Sequence, residues 1–400
     1  MMDKTSAVQL HHIVPVLWIT YAAYYLGRVN ISPVLQNIAT DLSITQAQVG
    51  LLGTVFFGAY ALGTLIVGEL GTHVSPRWIV TIGLMVTIGM NLAFSLQTSL
   101  WVMLILWGIN GFAQSTGWSP MLRIIAERFD VAETKRISTI MPFSYVVGTA
   151  VTWSLIGVLT ANGQWRIAFF LPAIFLTGIL IFWWLSGIDA PRSGATHFRM
   201  GDATSEIRLL WQVLLAAGLV GFIHAGSLLW LPSYVEDTTT ISATLIGFAA
   251  AIMQVIALGG LFLAQQLVNR TGRVITTTAG LLIATSIALL VAILSAGTLA
   301  LLFVTVALIV VNGAIGLVVS SVPIVLAGKG RTSSVTGLVN TLSSVGGGVA
   351  GFGLGWILDR SGWNPALMTW AMCALVASLL LFSKRRLEPT RAISTNTGKG

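Results

Sequence analysis

The chain has little charge and almost no cysteine. Its 400 residues include one cysteine, Cys373, and only 8% of them are Asp, Glu, Lys or Arg. A single cysteine excludes a disulfide or a CxxC metal site within one chain, and we expect Cys373 to pack as an apolar residue. Soluble domains carry about 25% charged residues, so the scarcity of charge excludes an ordinary soluble protein. The hydrophobic content of 55% instead predicts an integral membrane protein.

The apolar residues form long runs of about 20, which suits a membrane-spanning α-helix and is too long for a barrel strand. The sequence therefore predicts an all-α membrane protein with twelve transmembrane helices. No cleavable signal is expected, because the first run is long and more spans follow it. The predicted spans cover residues 12–35, 46–71, 77–97, 100–125, 137–160, 166–187, 208–234, 243–267, 273–296, 299–326, 332–358 and 363–384.

Positive charge is distributed unevenly between the two sides of the predicted membrane protein. Of 21 Lys and Arg residues, 17 fall in segments that twelve spans would place on one side. The opposite side has only Arg166 and Arg360. By the positive-inside rule this asymmetry predicts a plasma membrane protein, of the bacterial inner membrane, with both termini cytoplasmic. The net charge of +8 then indicates topology and attraction to membrane lipids, and no nucleic-acid partner is expected.

The two halves of the chain repeat each other. Trp165 and Trp363 are 198 residues apart, and Pro33 and Pro232 are 199 apart. Such a parallel repeat of six plus six helices resembles the plan of the major facilitator superfamily, which implies a monomer with a central cavity between two bundles. The predicted organisation is a six-helix bundle over residues 1–187, a cytoplasmic linker over 188–207, a second bundle over 208–386 and a tail over 387–400.

The loop after the second span is a degenerate copy of a motif of that superfamily. The motif typically reads G-x-x-x-D-R-x-G-x-R, whereas Gly68–Arg77 has Thr72 and His73 at the Asp-Arg positions. A gate at the inward face is therefore expected to use other charged side chains. The nearby candidates are Glu69, Arg123, Glu127 and Asp130.

Arg28 is the only arginine or lysine well inside the first apolar run. An arginine near the bilayer centre costs about 2.5–3.5 kcal/mol on insertion scales. All acidic residues lie near helix ends or in loops, so no carboxylate is expected to neutralise Arg28 at mid-membrane. A cavity that receives an anion is the favoured explanation, because a guanidinium binds carboxylate, sulfonate or phosphate groups with two hydrogen bonds. The alternative is a structural arginine satisfied by backbone carbonyls or by a neighbouring span.

His224 is the other deep side chain that can carry positive charge. It has three interpretations: a satisfied interior histidine, a hydrogen-bond donor to substrate, or a proton-linked switch. Near Arg28, a continuous helix would place Tyr21 and Tyr25 on the same face and Tyr24 alongside. Their hydroxyl groups would then be positioned to bind an anion or to hold the guanidinium.

The fourth span is unusually polar. Its segment Trp107–Arg123 contains polar side chains that need partners in a low-dielectric setting, and Pro120 is expected to kink the helix and free a carbonyl. These polar side chains are Asn110, Gln114, Ser115 and Thr116.

Three segments resemble the organophosphate:phosphate antiporter family, which includes the glycerol-3-phosphate and hexose-phosphate transporters. They are YAAYYLGRVN (Tyr21–Asn30), NGFAQSTGWSPMLR (Asn110–Arg123) and WLPSYV (Trp230–Val235). The resemblance implies exchange of phosphate esters for inorganic phosphate at one rocking site, with one arginine in each half.

Carried over by position, Arg28 matches the first substrate arginine, whereas the second falls on His224. Tyr145 stands where the family has a histidine, and Val29 and Thr64 stand where it has lysines. The resemblance thus implies a site with fewer positive charges, suited to a less charged anion such as a carboxylate, a sulfonate or a phosphonate monoester. The wider class of expected substrates also includes phosphate esters. The implied substrate-binding residues are Arg28, Tyr21, Tyr25, Tyr60, Gln114, Trp118, Tyr145 and His224.

The sequence therefore predicts a secondary transporter of a small organic anion that works by alternating access. Coupling to a counter-anion and coupling to a proton both stay open, and so does the direction of transport. One alternative is a metabolite or drug exporter of the same superfamily, and another is a membrane sensor that binds a phosphorylated ligand without moving it. No enzyme, metal site or cofactor is predicted, since no nucleophile with a base, metal-ligand cluster or phosphate-cradling loop is evident.

Overall fold

A computed structural model describes residues 4–71, 73–190, 200–326 and 332–387. Part of the predicted linker, most of the predicted tail and the motif position Thr72 lie outside the described residues. So do several basic residues that supported the predicted topology, namely Arg192, Arg199, Lys329, Arg331, Arg391 and Lys399.

The described chain is a bundle of α-helices. Two 3₁₀ turns, Tyr25–Gly27 and Ser32–Val34, follow the first helix, and a third, Arg385–Leu387, follows the last. The α-helices are α1 (Lys4–Tyr24), α2 (Leu35–Asp41), α3 (Gln46–Leu70), α4 (Pro76–Ser95), α5 (Leu100–Gln114), α6 (Trp118–Arg128), α7 (Val131–Ile140), α8 (Pro142–Leu159), α9 (Ile167–Ser186), α10 (Met200–Thr238), α11 (Ala243–Ala257), α12 (Gly259–Thr271), α13 (Val274–Ile293), α14 (Thr298–Leu326), α15 (Thr332–Ser361) and α16 (Trp363–Phe382).

Ten continuous stretches of the described helices are long and apolar enough to cross a membrane. The first and fourth of the twelve predicted spans differ from the prediction, because each is interrupted. α1 ends at Tyr24, so it does not continue to residue 35, and the fourth span is divided into α5 and α6. The expected linker also differs in part, since its residues 200–207 form the first turns of α10.

A proline disturbs the helix in both spans, although α1 already ends at Tyr24, nine residues before Pro33. Pro33 has no N–H group to donate to the Val29 carbonyl, so an α-helix cannot run undisturbed through this segment. In the fourth span, the ring of Pro120 would clash in a regular helix with the carbonyl of Thr116, four residues earlier. The observed turn between α5 and α6 includes Thr116. The kink expected from Pro120 therefore takes the form of a break just before it.

The helices before residue 191, called the first half, meet the later helices, called the second half, through close contacts at one end of the molecule. The Thr54 hydroxyl donates to the Gly348 carbonyl at 2.7 Å, and the Ser32 hydroxyl donates to the Leu228 carbonyl at 2.8 Å. Gly50 lies directly against the backbone of Gly351. We call this end, which carries the start of α3, the closed end.

A cleft of about 1250 Å³, including its opening to solvent, lies toward the opposite end, between α7, α8, α12 and α14. Ser138, Phe143 and Gln265 are among the residues that line it. We call this the cleft end. The end of α16 lies there as well, because the first residue of this helix bonds to Asp237 at the closed end. The start of α1 points the same way, because the chain runs from α1 through Ser32 to the closed end. The two halves are thus packed at one end and separated by a cleft at the other.

We predict that Gly50→Ala destabilises the protein by about 1–3 kcal/mol, because the added methyl group would overlap the Gly351 carbonyl. Gly89→Ala is the matched control, since none of the described atoms lies within 4 Å of a methyl group placed there. Alanine favours a helix over glycine, so the control should be neutral or stabilising by up to ~1 kcal/mol. Thermal unfolding in detergent measures both, and equal midpoints for the two variants would contradict this account of the contact.

Candidate functional site

Arg28 lies directly after the first 3₁₀ turn, where the backbone is no longer helical. Its guanidinium carbon is 4.4 Å from the ring centre of Tyr60, 5.2 Å from that of Tyr25 and 5.7 Å from that of Phe56. Positive charge is attracted to the faces of aromatic rings, so these contacts offset part of the cost of placing Arg28 here. No carboxylate among the described residues forms a salt bridge with it.

Further aromatic rings extend the cluster around Arg28. The ring centres of Tyr25 and Tyr145 are 5.8 Å apart, and those of Tyr21 and Trp118 are 4.9 Å apart. Tyr21 and Tyr25 are themselves 5.8 Å apart in an edge-to-face arrangement. The structure therefore brings together six of the eight residues predicted to bind substrate, with Phe56 as an addition.

The exposure of these side chains shows which way the cluster faces. Partial exposure is shared by Arg28, Tyr60, Trp118 and Tyr145, although the cluster that they form lies between the helices of the bundle. Polar residues behind the cluster, such as Asn110, are fully buried. Arg28 and its aromatic neighbours thus line an interior space that solvent can reach.

Hydrogen bonds hold the backbone on both sides of Arg28. The Gly27 carbonyl accepts from the side-chain amides of Asn110 at 2.8 Å and Asn91 at 3.4 Å. The Val29 carbonyl accepts from the indole N–H of Trp153 at 3.1 Å. A buried carbonyl without a partner is costly, so these donors make the interrupted helix acceptable and fix where Arg28 emerges.

The two interrupted spans meet behind the aromatic cluster. The Gln114 amide donates to the Tyr24 carbonyl at 3.2 Å, and the Tyr24 hydroxyl contacts the Thr116 hydroxyl at 3.2 Å. Gln114 was expected to line the cavity, but its side chain is buried and its amide is used to hold the end of α1. Tyr24 was expected alongside Arg28 on a continuous helix. It points instead into the first half, where its hydroxyl donates to the Val80 carbonyl at 3.1 Å.

His224 lies in the second half, within α10, which is uninterrupted there. It is partly exposed and close enough to Arg28 for their charges to interact, and Asn312 lies beside it. His224 thus lies in the second half near Arg28, and its Nε2 atom is buried without a partner among the described groups.

A narrow pocket of about 330 Å³, including its opening, adjoins Arg28 on the side of the closed end. Phe56, Phe57 and Trp107 form its aromatic walls. Leu228 and Leu229 of α10 complete it, so both halves contribute to this pocket. One cation beside several aromatic rings can bind a small anion that carries an organic group.

A family model described as Major Facilitator Superfamily matches residues 17–351. The chain belongs to this superfamily. It is accordingly a multi-pass membrane protein of a transporter family and not an enzyme, and the all-helical architecture predicted from the sequence is confirmed.

Relatives in the superfamily extend along nearly the whole chain. A "Probable hexose phosphate transport protein" of Chlamydia pneumoniae is 23% identical and covers 91% of this chain and 88% of its own. The glycerol-3-phosphate transporter of Bacillus subtilis strain 168 is 24% identical, with 96% and 91% covered. The predicted resemblance to phosphate-ester transporters is thereby confirmed.

A solved structure shares the fold. A bacterial homologue of the human lysosomal transporter Spinster, in an inward-facing and occupied conformation, superposes with a TM-score of 0.79. It is 18% identical, and the match covers 98% of this chain and 100% of the other.

The predicted gating residues lie at the cleft end of this superfamily fold. Arg123 donates to the Gly71 carbonyl and so joins α6 to the loop after α3. Glu69 and Glu127 are exposed on the last turns of α3 and α6. Asp130 caps α7, where it accepts from the Glu133 backbone N–H at 2.8 Å. Their role in gating stays a prediction.

Sequence reasoning missed the donors around Arg28 and the polar contacts of the closed end. Asn110 had been singled out as polar, yet nothing indicated that its partner would be a freed carbonyl of the first span. One of these contacts is made by Asp359 of α15, whose carboxylate accepts from backbone N–H groups of α3. A sequence signal existed for it, since carboxylates are rare in this chain and Asp359 follows directly after the eleventh predicted span.

We predict that Trp153→Phe loosens the backbone around Arg28 while keeping an aromatic ring in place. Loss of the indole donor removes one hydrogen bond to the Val29 carbonyl, worth about 0.5–1.5 kcal/mol. Amide hydrogen exchange, read by mass spectrometry, should become several-fold faster in peptides that span residues 25–31.

Trp183→Phe provides the matched control. Trp183 is equally buried, and its indole donates to the Arg77 carbonyl at 3.3 Å, away from Arg28. The Trp183→Phe variant should lower the free energy of unfolding by a similar amount and leave amide exchange at residues 25–31 unchanged. Equal exchange at these residues in both variants would show that Trp153 has no special role in holding Arg28.

Proposed function

We propose that this protein is a secondary transporter that carries a small organic anion across the membrane by alternating access. The observation that carries the proposal is Arg28, a guanidinium that reaches an interior space without a carboxylate partner among the described residues. Such a charge is costly inside a membrane unless something solvates or neutralises it. A bound anion supplies the neutralising charge, and the aromatic rings supply a surface for its organic part.

The charges near the site favour an anion of low charge. A dianion such as a phosphate ester is best bound by two strong cationic partners, whereas a monoanion needs only one. This site has Arg28, and the position near it in the second half is His224, which is neutral for much of the physiological pH range unless its surroundings favour the charged form. We therefore propose carboxylates, sulfonates and phosphonate monoesters as the favoured substrates, with dianionic phosphate esters bound more weakly.

The shape of the molecule supports the alternating-access part of the proposal. The halves are packed at the closed end and separated by the cleft at the other end, where the predicted cytoplasmic termini lie. With the topology predicted from positive charge, the cleft faces the cytoplasm of a bacterium and the closed end faces outward. The domain limits of 1–187 and 208–386, joined by a cytoplasmic linker, belong to the same proposal.

Coupling would use either a counter-anion at the same site or a proton. His224 is the first candidate for a proton carrier, because it lies near Arg28 and its Nε2 atom has no partner among the described groups. Protonation of His224 would add a second positive charge beside a bound anion. Glu69, exposed at the end of α3, is the second candidate.

We predict that anions stabilise the purified protein and that Arg28→Ala abolishes this effect. The probes are lactate, gluconate, isethionate, glucose 6-phosphate and inorganic phosphate, each measured by the shift in thermal unfolding. A ligand at 100 times its Kd should stabilise the wild type by about 2.7 kcal/mol. Arg28→Lys keeps the charge but lacks the planar fork, so it should retain a reduced shift.

Two results would overturn the proposal. If Arg28→Ala kept the full anion-induced shift, Arg28 would not be the anchor. If inorganic phosphate stabilised the wild type more than the monoanions, the low-charge substrate class would be wrong while anion transport would stand.

We further predict that His224→Arg raises the preference for dianions. A second guanidinium near Arg28 would restore one positive charge in each half, and a charge-assisted hydrogen bond contributes about 1.5–3 kcal/mol. The affinity for glucose 6-phosphate relative to lactate should rise roughly tenfold or more. His224→Gln, which keeps hydrogen bonding without the charge, should leave that ratio unchanged. An equal rise in both variants would show that charge at this position does not select the substrate.

A further inference from the structure

The first turn of α3 is completed by a carboxylate from the other half of the protein. Asp359 belongs to α15, and its two oxygens accept from the backbone N–H groups of Gln46 and Ala47, both at 2.8 Å. These N–H groups have no partner within their own helix, because a helix begins with unpaired donors. They also carry the partial positive charge of the helix start, which attracts a carboxylate.

The other two donors at this helix start are satisfied within the first half. The Gln48 N–H donates to the Thr45 hydroxyl at 3.2 Å, and the Thr45 N–H donates to the Gln48 side chain at 2.9 Å. This reciprocal cap does not reach the N–H groups of Gln46 and Ala47. The cap of α3 is therefore complete only when the two halves are together at the closed end.

A second polar connection lies beside this cap. The Gln46 side-chain amide donates to the Gln36 side-chain oxygen at 2.6 Å, and the Gln36 side-chain amide donates to the Asp237 carboxylate at 3.3 Å. Asp237 also accepts from the Trp363 indole at 2.9 Å, a bond within the second half. This second connection between the halves runs through two side chains and includes a long bond of 3.3 Å. It therefore adds less to the contact between the halves than the cap at Asp359 does.

The partners and exposure of Asp359 suit a contact that must be broken and remade. The described residues provide it with no salt bridge, and the neighbouring Arg360 packs its guanidinium over the Trp356 ring at 4.0 Å. The Asp359 side chain is exposed, so water can replace its hydrogen bonds when the halves part. A buried ion pair would resist separation far more strongly, because breaking it leaves an uncompensated buried charge.

We propose that Asp359 is the latch of the closed end: it holds the two halves together by capping α3, and its release accompanies opening at that end. The latch rests on the alternating access proposed above. Because the Asp359 oxygens must meet two backbone groups of one helix turn, a small rotation of either half breaks both bonds together. The contact therefore favours one closed arrangement over a continuum of partly open ones.

Asp41 offers a matched comparison at the same end. Its carboxylate is also exposed and accepts from the Trp165 indole and from the Arg166 guanidinium, both at 3.0 Å. The hydrogen bond from Trp165 is the largest cause that holds the pKa of the Asp41 carboxyl below its usual range, and the bond from Arg166 is the next. All three residues belong to the first half, so Asp41 stabilises that half without joining it to the other.

The test measures opening of the closed end in intact cells. Cys373 is replaced by serine to remove the one native thiol, and Leu228→Cys places a reporter in the pocket beside Arg28. A membrane-impermeant maleimide added outside reaches this position when the closed end opens. Asp359→Asn should raise the labelling rate about two- to fivefold, the range expected for loss of a carboxylate at a helix start.

Asp41→Asn should leave the labelling rate unchanged, and Asp237→Asn should raise it less than Asp359→Asn. Size-exclusion profiles and thermal unfolding establish that each variant is folded. Unchanged labelling in folded Asp359→Asn, or an equal increase in Asp41→Asn, would overturn the latch. If Asp359→Asn loses its fold, Asp359→Glu replaces it, since the longer side chain keeps the charge but misplaces the oxygens and should also raise labelling.

The latch and the proposed function fail in different ways. Labelling that responds to Asp359→Asn in a protein that binds no anion would support the latch and reject the substrate. If anions alter the labelling rate of the wild type while Asp359→Asn has the same labelling rate as the wild type, the latch is wrong and the proposed transport stands. A reporter that is never labelled in any variant would reject both the latch and alternating access.

Discussion

The rest of the site depends on the hydrogen bonds that hold the backbone on either side of Arg28. A regular helix would have used the Gly27 and Val29 carbonyls internally and would have carried Arg28 along its surface. With the helix interrupted, Asn110 donates to the Gly27 carbonyl. Trp153 joins the Ser32 N–H in donating to the Val29 carbonyl, so the arginine leaves the backbone at a fixed place. The aromatic rings can then surround its guanidinium, because they belong to other rigid parts of the first half.

How much of this arrangement the sequence predicted differs from residue to residue. Arg28 was predictable, because a lone charge in an apolar run demands an explanation on energetic grounds alone. Tyr60 and Trp118 followed only from a family resemblance, since nothing local to them points to Arg28. The interruption of the first span was not predicted. A proline such as Pro33 shows where a helix is weakened, but not which distant donors will bond to the carbonyls that a break leaves unpaired. Those donors, such as Trp153, become neighbours only in the folded chain.

The two halves differ in a way that their sequence repeat conceals. The first half is interrupted at its cation, whereas α10 passes His224 without a break. The Leu228 carbonyl of α10, which Pro232 cannot bond, accepts from the Ser32 hydroxyl of the first half. Asn312 lies beside His224, and it donates to the Leu308 carbonyl of its own helix at 2.9 Å. In the first half, Asn110 donates instead to another span. The anchoring geometry is therefore built in one half only, which fits the proposal of a single guanidinium that binds a weakly charged ligand.

One helix links the anchoring site to the closed end. α3 presents the Tyr60 ring to Arg28, and its first turn is capped by Asp359 from the other half. Gln46 and Tyr60 are 14 residues apart, so about 21 Å of regular helix separates the cap from the site. Thr54 lies between them and bonds to Gly348 of the other half. A ligand that shifts the backbone at Tyr60 therefore either bends α3 or moves it as a rigid body. Moving it breaks the cap, because both bonds to Asp359 depend on the position of the same helix turn.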